Sequence, residues 1–399
     1  MRHVLIVWEL GGNLGHLSRL HLIASALAYL KINVTFAVRN YPLAAPWLAA
    51  RGWPCLQAPQ LASNQWDSTI PVGHADWYVC EGFDQPAQVQ TWLGSWAALV
   101  EQNPCDALLL DFAPAAVYAA HYLQLPYMVS SVGFCVPPYF HQAACFRPWD
   151  LQAVQQAQAA HAHLPAMFGA LRKLLGPQAA VDLEALYPPH AVQLCTFKHI
   201  DHFADRSEDA NYAGVLWNTA QDVPQTTWHP SKGAGKKVFC YLNGAVEHTH
   251  PLLDALKKHA CEVIAVVPHW PKDRVDAYAT EHFQVHTQPV NVQALLPDAD
   301  AVVTHGGVGL VGQSLCAGVP LLLLAQHAEQ ALLARRVAQH SFGLATYRST
   351  DTQLLADRLD ALLHDPRFGV ATRAFANQHP NYSPNEAAHS AMAAWVEAA

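Results

Sequence analysis

Charge is scarce in this chain of 399 residues: Asp, Glu, Lys and Arg together make up 14%. Basic residues are the scarcer kind, 23 Lys plus Arg against 31 Asp plus Glu, which leaves a net charge of -8 with histidine neutral. A polyanion needs a basic stripe or patch, so nucleic acid is excluded as an expected partner. The sequence also lacks any uncharged apolar run of about 18 residues, the length that crosses a bilayer, so no transmembrane segment is expected and only peripheral membrane contact stays open. Nine cysteines are scattered with no Cys-x-x-Cys pair among them. That excludes a disulfide framework or a structural zinc site and points to reduced thiols in a cytoplasmic protein. The first apolar run is broken by Trp8-Glu9 and flows into glycines, so it reads as a strand, not a secretory leader. What the chain does have is apolar residue, 52% of the total. A large buried core, long enough for two domains, follows.

The pattern along the chain is α/β. "HVLIVWEL" (3 to 10) is a continuous apolar run of the kind buried on both faces of a parallel sheet. After Gly15, Leu17, Leu20, Ile23, Ala24, Leu27 and Leu30 recur at helical spacing, and "NVTFAVRN" (33 to 40) returns as a strand. Strand, glycine turn, helix and strand make a βαβ unit with a right-handed crossover. "DALLLDF" and "YMVSSVGF" continue the theme, and 145 to 190 reads as an inserted helical pair. Periodicity fades over 216 to 236, the expected linker, and from "KVFCYLNG" the alternation begins again. The expected architecture is two facing Rossmann-like domains with parallel sheets, 1 to 215 and 237 to 380, with a ligand cleft between them. A last helix, 381 to 399, is expected to pack back on the first domain.

One stretch carries phosphate chemistry. In "VVTHGGVGLVGQSLCAGVP" (302 to 320) a strand ends in His305 and two glycines just where a helix begins. The first N–H groups of that helix are then unpaired and sterically open, and the helix dipole favours an anion there. His305 would add a side-chain donor. Thr304 to Gln330 as a whole resembles the donor-binding signature of the family 1 glycosyltransferases, bacterial type, which have the GT-B fold and use nucleotide sugars. The resemblance implies that His305, Gly306 and Gly307 bind the donor diphosphate, with Gly309 and Gln313 on the following helix. Glu329 and Gln330 would meet sugar hydroxyls, and "QPVNVQALLP" (288 to 297), with Val290, would hold the base. Asn243 and Gly244, in the glycine turn after the first strand of the second half, are either donor contacts or a plain turn. Gly309-Leu310 and Gln313 depart from the family pattern, which leaves the nucleotide open between UDP and dTDP.

The catalytic candidates lie in the first half. His16 starts a helix directly after the first strand, where an imidazole can stand beside an acceptor hydroxyl. Asp111 ends a strongly apolar strand, a costly place for a carboxylate without a partner. In the resembled family such a Gly-His supplies the general base and such an Asp orients it. The implied reaction is inverting and metal-independent, with no cofactor beyond the sugar nucleotide and a small-molecule, lipid or glycan acceptor. Aromatic residues including Trp66, Trp77, Trp92, Trp96, Phe134 and Tyr139 either wall an acceptor site or fill the core of the insert; Trp77, Phe134 and Tyr139 are the acceptor candidates. Asp298-Ala299-Asp300 imitates a metal motif but reads as turn residues. The rival functions are a nucleotide-sugar epimerase or hydrolase on the same fold, and a non-catalytic relative acting as an activator or scaffold.

Overall fold

The computed structural model describes residues 1–12, 14–61, 70–218, 224–229, 235–246, 249–259, 261–348 and 351–398. Among them, twelve strands form two six-stranded sheets. The first contains β1 (His3–Trp8), β2 (Asn33–Val38), β3 (Cys55–Gln57), β4 (Ala107–Asp111), β5 (Tyr127–Ser131) and β6 (Val192–Leu194) in the order β3-β2-β1-β4-β5-β6. The second contains β7 (Lys237–Tyr241), β8 (Glu262–Val266), β9 (Phe283–His286), β10 (Ala301–Thr304), β11 (Leu321–Ala325) and β12 (Gly343–Tyr347) in the order β12-β11-β10-β7-β8-β9. Every neighbouring pair is parallel. Parallel sheets are covered on both faces, and accordingly Val4 to Val7, Leu108 to Leu110 and Leu321 to Ala325 are fully buried.

Both sheets follow the same doubly wound order. The chain reverses its direction of travel between β1 and β4 in the first sheet and between β7 and β10 in the second. Ligands of open α/β sheets bind beyond the carboxyl ends of the strands at such switch points. The fold therefore marks two places in advance of any side-chain chemistry.

The chain divides into two compact units, Met1–Asn218 with Pro384–Ala399, and Thr219–Ser383. In the first, the helix Leu14–Tyr29 buries Leu17, Leu20, Ile23, Ala24 and Leu27 against the sheet, the face its spacing predicts. The helix Pro384–Ala398 completes that layer: Ala388 and Met392 are fully buried in the same cluster, and the rings of Tyr29 and His389 lie 5.0 Å apart.

Two expectations meet a different structure. In place of a helical pair, a single helix runs from Leu151 to Leu175, capped by Asp150, whose Oδ1 accepts from Gln152 and Ala153 N–H. Pro165 does not divide it, because Ala153, Ala157, Leu164, Phe168, Leu171 and Leu175 form one buried stripe through that position. Only a single turn, Leu183–Leu186, follows. In the stretch read as a linker, 219–223 and 230–234 lie outside the described residues. Residues 224–229 belong with the second unit: Asn291 N–H donates to Pro224 O at 3.3 Å and Trp228 Nε1–H to Leu295 O at 3.0 Å. No helix among the described residues is long and apolar enough to cross a membrane.

Candidate functional site

The first switch point holds His16 and Asp111. Asp111 is the last residue of β4 and pairs in register with Trp8, the last residue of β1. Its carboxylate is fully buried and accepts from three side chains: His16 Nδ1–H at 2.9 Å to Oδ2, Arg19 Nη2 at 2.6 Å to each oxygen, and Ser131 Oγ at 2.5 Å to Oδ1. Burial pushes its pKa up, but Arg19 foremost, then His16 and Ser131, outweigh burial and hold it well below the usual carboxylate range. An ionised carboxylate can only accept, so Nδ1 of His16 carries the hydrogen, and in the neutral imidazole Nε2 has the lone pair. The imidazole is clasped between Trp8 and Phe112, with ring centroids at 5.5 and 5.9 Å and interplanar angles of 21° and 26°. Gly11, at φ +92, passes directly over the basic nitrogen: a Cβ there would lie 2.6 Å from Nε2. A general base with a fixed tautomer and a fixed plane is the chemical content of this corner.

Sequence reasoning missed Arg19 and Phe112. Arg19 is one helical turn from His16 and is 7% exposed, on a helix whose other buried residues include Leu17, Leu20, Leu22 and Ile23. That charge at a core position was the available signal. Phe112 adopts φ +44, a left-handed conformation that costs a bulky residue energy, and is held there by Leu10 N–H donating to its carbonyl at 2.9 Å. Glu9, also unassigned, caps the helix Pro114–Tyr122 that follows β4, with Ala115 and Ala116 N–H donating to Oε2 at 3.0 and 3.2 Å. Burial, and then the charge of Glu81, push its pKa up to about 8.

The acceptor candidates divide. Trp77 and Phe134 are 2% and 8% exposed and belong to the aromatic packing behind the base, Trp77 at 5.0 Å from Phe112 and 5.9 Å from Phe134. Much of their apolar area is spent on each other. Tyr139 is half-buried, and Trp92 and Trp96 are core. Trp66 lies outside the described residues.

The second switch point holds Asn243, after β7, and His305, after β10. Both ring nitrogens of His305 are engaged: Nδ1–H donates to Leu324 O at 2.9 Å, and Nε2 accepts from Asn243 N–H at 2.8 Å. Burial foremost holds its pKa below the ordinary histidine value. In this arrangement His305 is a strut joining the ends of β7, β10 and β11. Gly306 has φ +100, and Gly307 precedes the helix Val308–Cys316 as an N-cap without a side-chain cap, leaving the first helical N–H groups open. Gly309 and Gln313 are half-exposed and one turn apart on that helix. Glu329 and Gln330 open the helix Ala328–Gln339 after β11, and Gln330 Oε1 accepts from Gln326 N–H at 2.8 Å, so a ligand would meet its amide donors.

Gly244 has a structural role. A Cβ on Gly244 would stand 2.1 Å from the Trp270 ring, and Trp270 Nε1–H donates to Gly244 O at 3.3 Å, which makes this glycine a packing requirement. Val290 is 5% exposed. Asn243 closes its own turn, Oδ1 accepting from Ala245 N–H at 3.0 Å. Asp300 ties the start of β7, accepting from Lys237 N–H and Lys236 Nζ at 2.9 and 2.8 Å, at the sheet edge opposite the glycines.

Residues 250–393 match the family described as erythromycin biosynthesis protein CIII-like, C-terminal domain. Over the whole length, the fold matches that of the calicheamicin glycosyltransferase, covering 100% of this chain and 98% of that one at a TM-score of 0.71 and 18% identity. The fold is that of the GT-B glycosyltransferases. The same GT-B fold is seen in the spinosyn rhamnosyltransferase solved with thymidine diphosphate, at a TM-score of 0.64 and 16% identity over 95% of this chain and 96% of that one. In sequence, the chain is 29% identical to the 4'-demethylrebeccamycin synthase of Lentzea aerocolonigenes over 178 residues, 42% of this chain and 40% of that protein. It is 39% identical to the elloramycin glycosyltransferase of Streptomyces olivaceus over 84 residues, 21% of each. The matched segments thus span well under two thirds of these glycosyltransferases.

Proposed function

We propose that this chain transfers a sugar from a nucleoside-diphosphate donor to an acceptor hydroxyl with inversion. The observation that carries this reading is the His16–Asp111 pair at the first switch point, with Gly11 beside Nε2. Nε2 takes the proton of the acceptor O–H as the oxygen forms its bond to the anomeric carbon. The bond from that carbon to the diphosphate oxygen breaks on the opposite face, and the nucleoside diphosphate leaves with the electron pair. The fixed hydrogen bond to Asp111 stabilises the imidazolium as it forms. On the donor side, the open amides at Gly307 and the start of the helix Val308–Cys316 suit the diphosphate, whose growing charge they would meet without a metal ion. His305 serves that site by holding the Asn243 turn in place. Glu329 and the amide of Gln330 suit sugar hydroxyls. UDP and dTDP sugars are the donors to try first, dTDP because a GT-B neighbour is solved with that nucleotide. The setting is cytoplasmic.

A thermal-shift panel of UDP, dTDP, GDP and their glucose derivatives tests the donor half. A bound nucleotide at one hundred times its dissociation constant adds ~2.7 kcal/mol of stability. His16→Ala tests the acceptor half: transfer falls by ~10²–10⁴ while the nucleotide shift is unchanged. Unchanged turnover would remove His16 as the base, and donor consumption without any acceptor would favour a hydrolase.

A further inference from the structure

The His16–Asp111 pair is not alone. Arg19 Nη2 lies 2.6 Å from both oxygens of Asp111 and 3.2 Å from Nδ1 of His16, and all three side chains are buried. Since Nδ1 carries a hydrogen toward Asp111, the Arg19–His16 approach is between two donors that share one carboxylate. This geometry changes the electrostatics of the proposed proton transfer. A buried histidine–aspartate pair starts with one negative charge and becomes neutral when the imidazole gains a proton. With Arg19 paired to Asp111, the cluster starts neutral and ends with one net positive charge in a place where charge is poorly solvated. The proton therefore receives less help from Asp111, and more of the driving force has to come from the acceptor itself.

We infer that Arg19 is a positioning residue that restricts this enzyme to acceptors with an acidic hydroxyl, phenols and enols, in preference to aliphatic alcohols. The inference rests on the transfer reading above and names the acceptor class for the same site. An acidic hydroxyl gives up its proton early, and the resulting oxyanion matches the positive charge that the cluster acquires. An alkanol offers neither. Arg19 touches no reacting atom in this scheme: it fixes Asp111 and sets the charge against which His16 works.

The test pairs acceptors of near-equal shape and unequal acidity: 2-naphthol with 2-naphthalenemethanol, and 4-nitrophenol with 4-nitrobenzyl alcohol. The full chain is assayed with UDP-glucose and dTDP-glucose as donors. The readout is the ratio of kcat/KM within each pair, in which the folded fraction of a preparation cancels. The wild type favours the phenol by about 100-fold or more, on the order of one general-base contribution. Arg19→Met, which removes the charge and keeps the length, lowers that ratio at least tenfold, whereas Arg19→Lys retains it. Arg19→Gln replaces the Met variant should that one fail to fold. A wild type that uses both members of a pair equally, or a ratio that survives loss of the charge, overturns the role of Arg19 alone. Transfer to none of the four acceptors from either donor overturns the transfer reading, and this inference with it.

Discussion

Asp111 is the residue on which most of the first site's order depends, because three donors from two elements, the helix Leu14–Tyr29 and β5, converge on it. Asp111→Asn leaves the Arg19 guanidinium buried without its counter-charge, a change that costs about 3–5 kcal/mol in comparable cases. Chemical denaturation at pH 7 checks this, and a loss below ~1 kcal/mol would mean that solvent reaches Arg19. The pH dependence has a definite sign. The carboxyl's pKa is depressed in the folded chain, so its contribution is fully present above the unfolded value of about 3.9 and is lost as pH falls below that value through the folded one. The Asn variant therefore shows a smaller loss of stability on acidification than the wild type. His305 shows how much of a residue's setting depends on partners that local sequence does not display. The strand-end position and neighbouring glycines were legible, but its two backbone partners, Asn243 and Leu324, are distant in the chain.

At the scale of elements, the two strand-to-helix turns are built for different tasks. The turn before the helix Val308–Cys316 needs Gly306 at φ +100 so that the chain can present its amides. Gly306→Ala strains that backbone by about 1–3 kcal/mol, and the stabilisation given by the nucleotide diphosphates falls more than the melting temperature of the free chain. The helix Pro114–Tyr122 begins with proline and has no cap of its own, and Glu9 supplies one from the end of β1. Its folded pKa is raised, so its contribution is full below the unfolded value of about 4.3 and is lost as pH rises toward 8. Glu9→Gln keeps a carbonyl acceptor and removes the titration. The melting temperature of the variant falls less than that of the wild type between pH 5 and pH 8, and parallel curves would show that Glu9 does not titrate there. Strands and their glycine turns were legible because apolar runs in a parallel sheet are continuous. Less legible was anything set by a partner outside the local window, such as Trp77 and Phe134 closing on Phe112, or Trp270 requiring Gly244.

For the molecule as a whole, chain order and structural membership part company at the C-terminus. The helix Pro384–Ala398 follows the second unit in sequence and belongs to the first, where Ala388 and Met392 fill the cluster that contains Leu17, Leu20 and Leu27. Those leucines lie on the helix that also carries His16 and Arg19. The last helix therefore supports the proposed base from behind, through packing and not through contact with a reacting atom. Met392→Ala opens a cavity in that layer and costs about 2–5 kcal/mol. Because the cavity lies in the first unit, hydrogen exchange rises across the helix Leu14–Tyr29 and across β1 and β2, while β7 to β12 keep their protection. Nucleotide-induced stabilisation of the second unit persists, and transfer falls in proportion to the loosened helix. Equal loss of protection in both sheets would instead show that the two units unfold as one, and the last helix would then stabilise the whole chain.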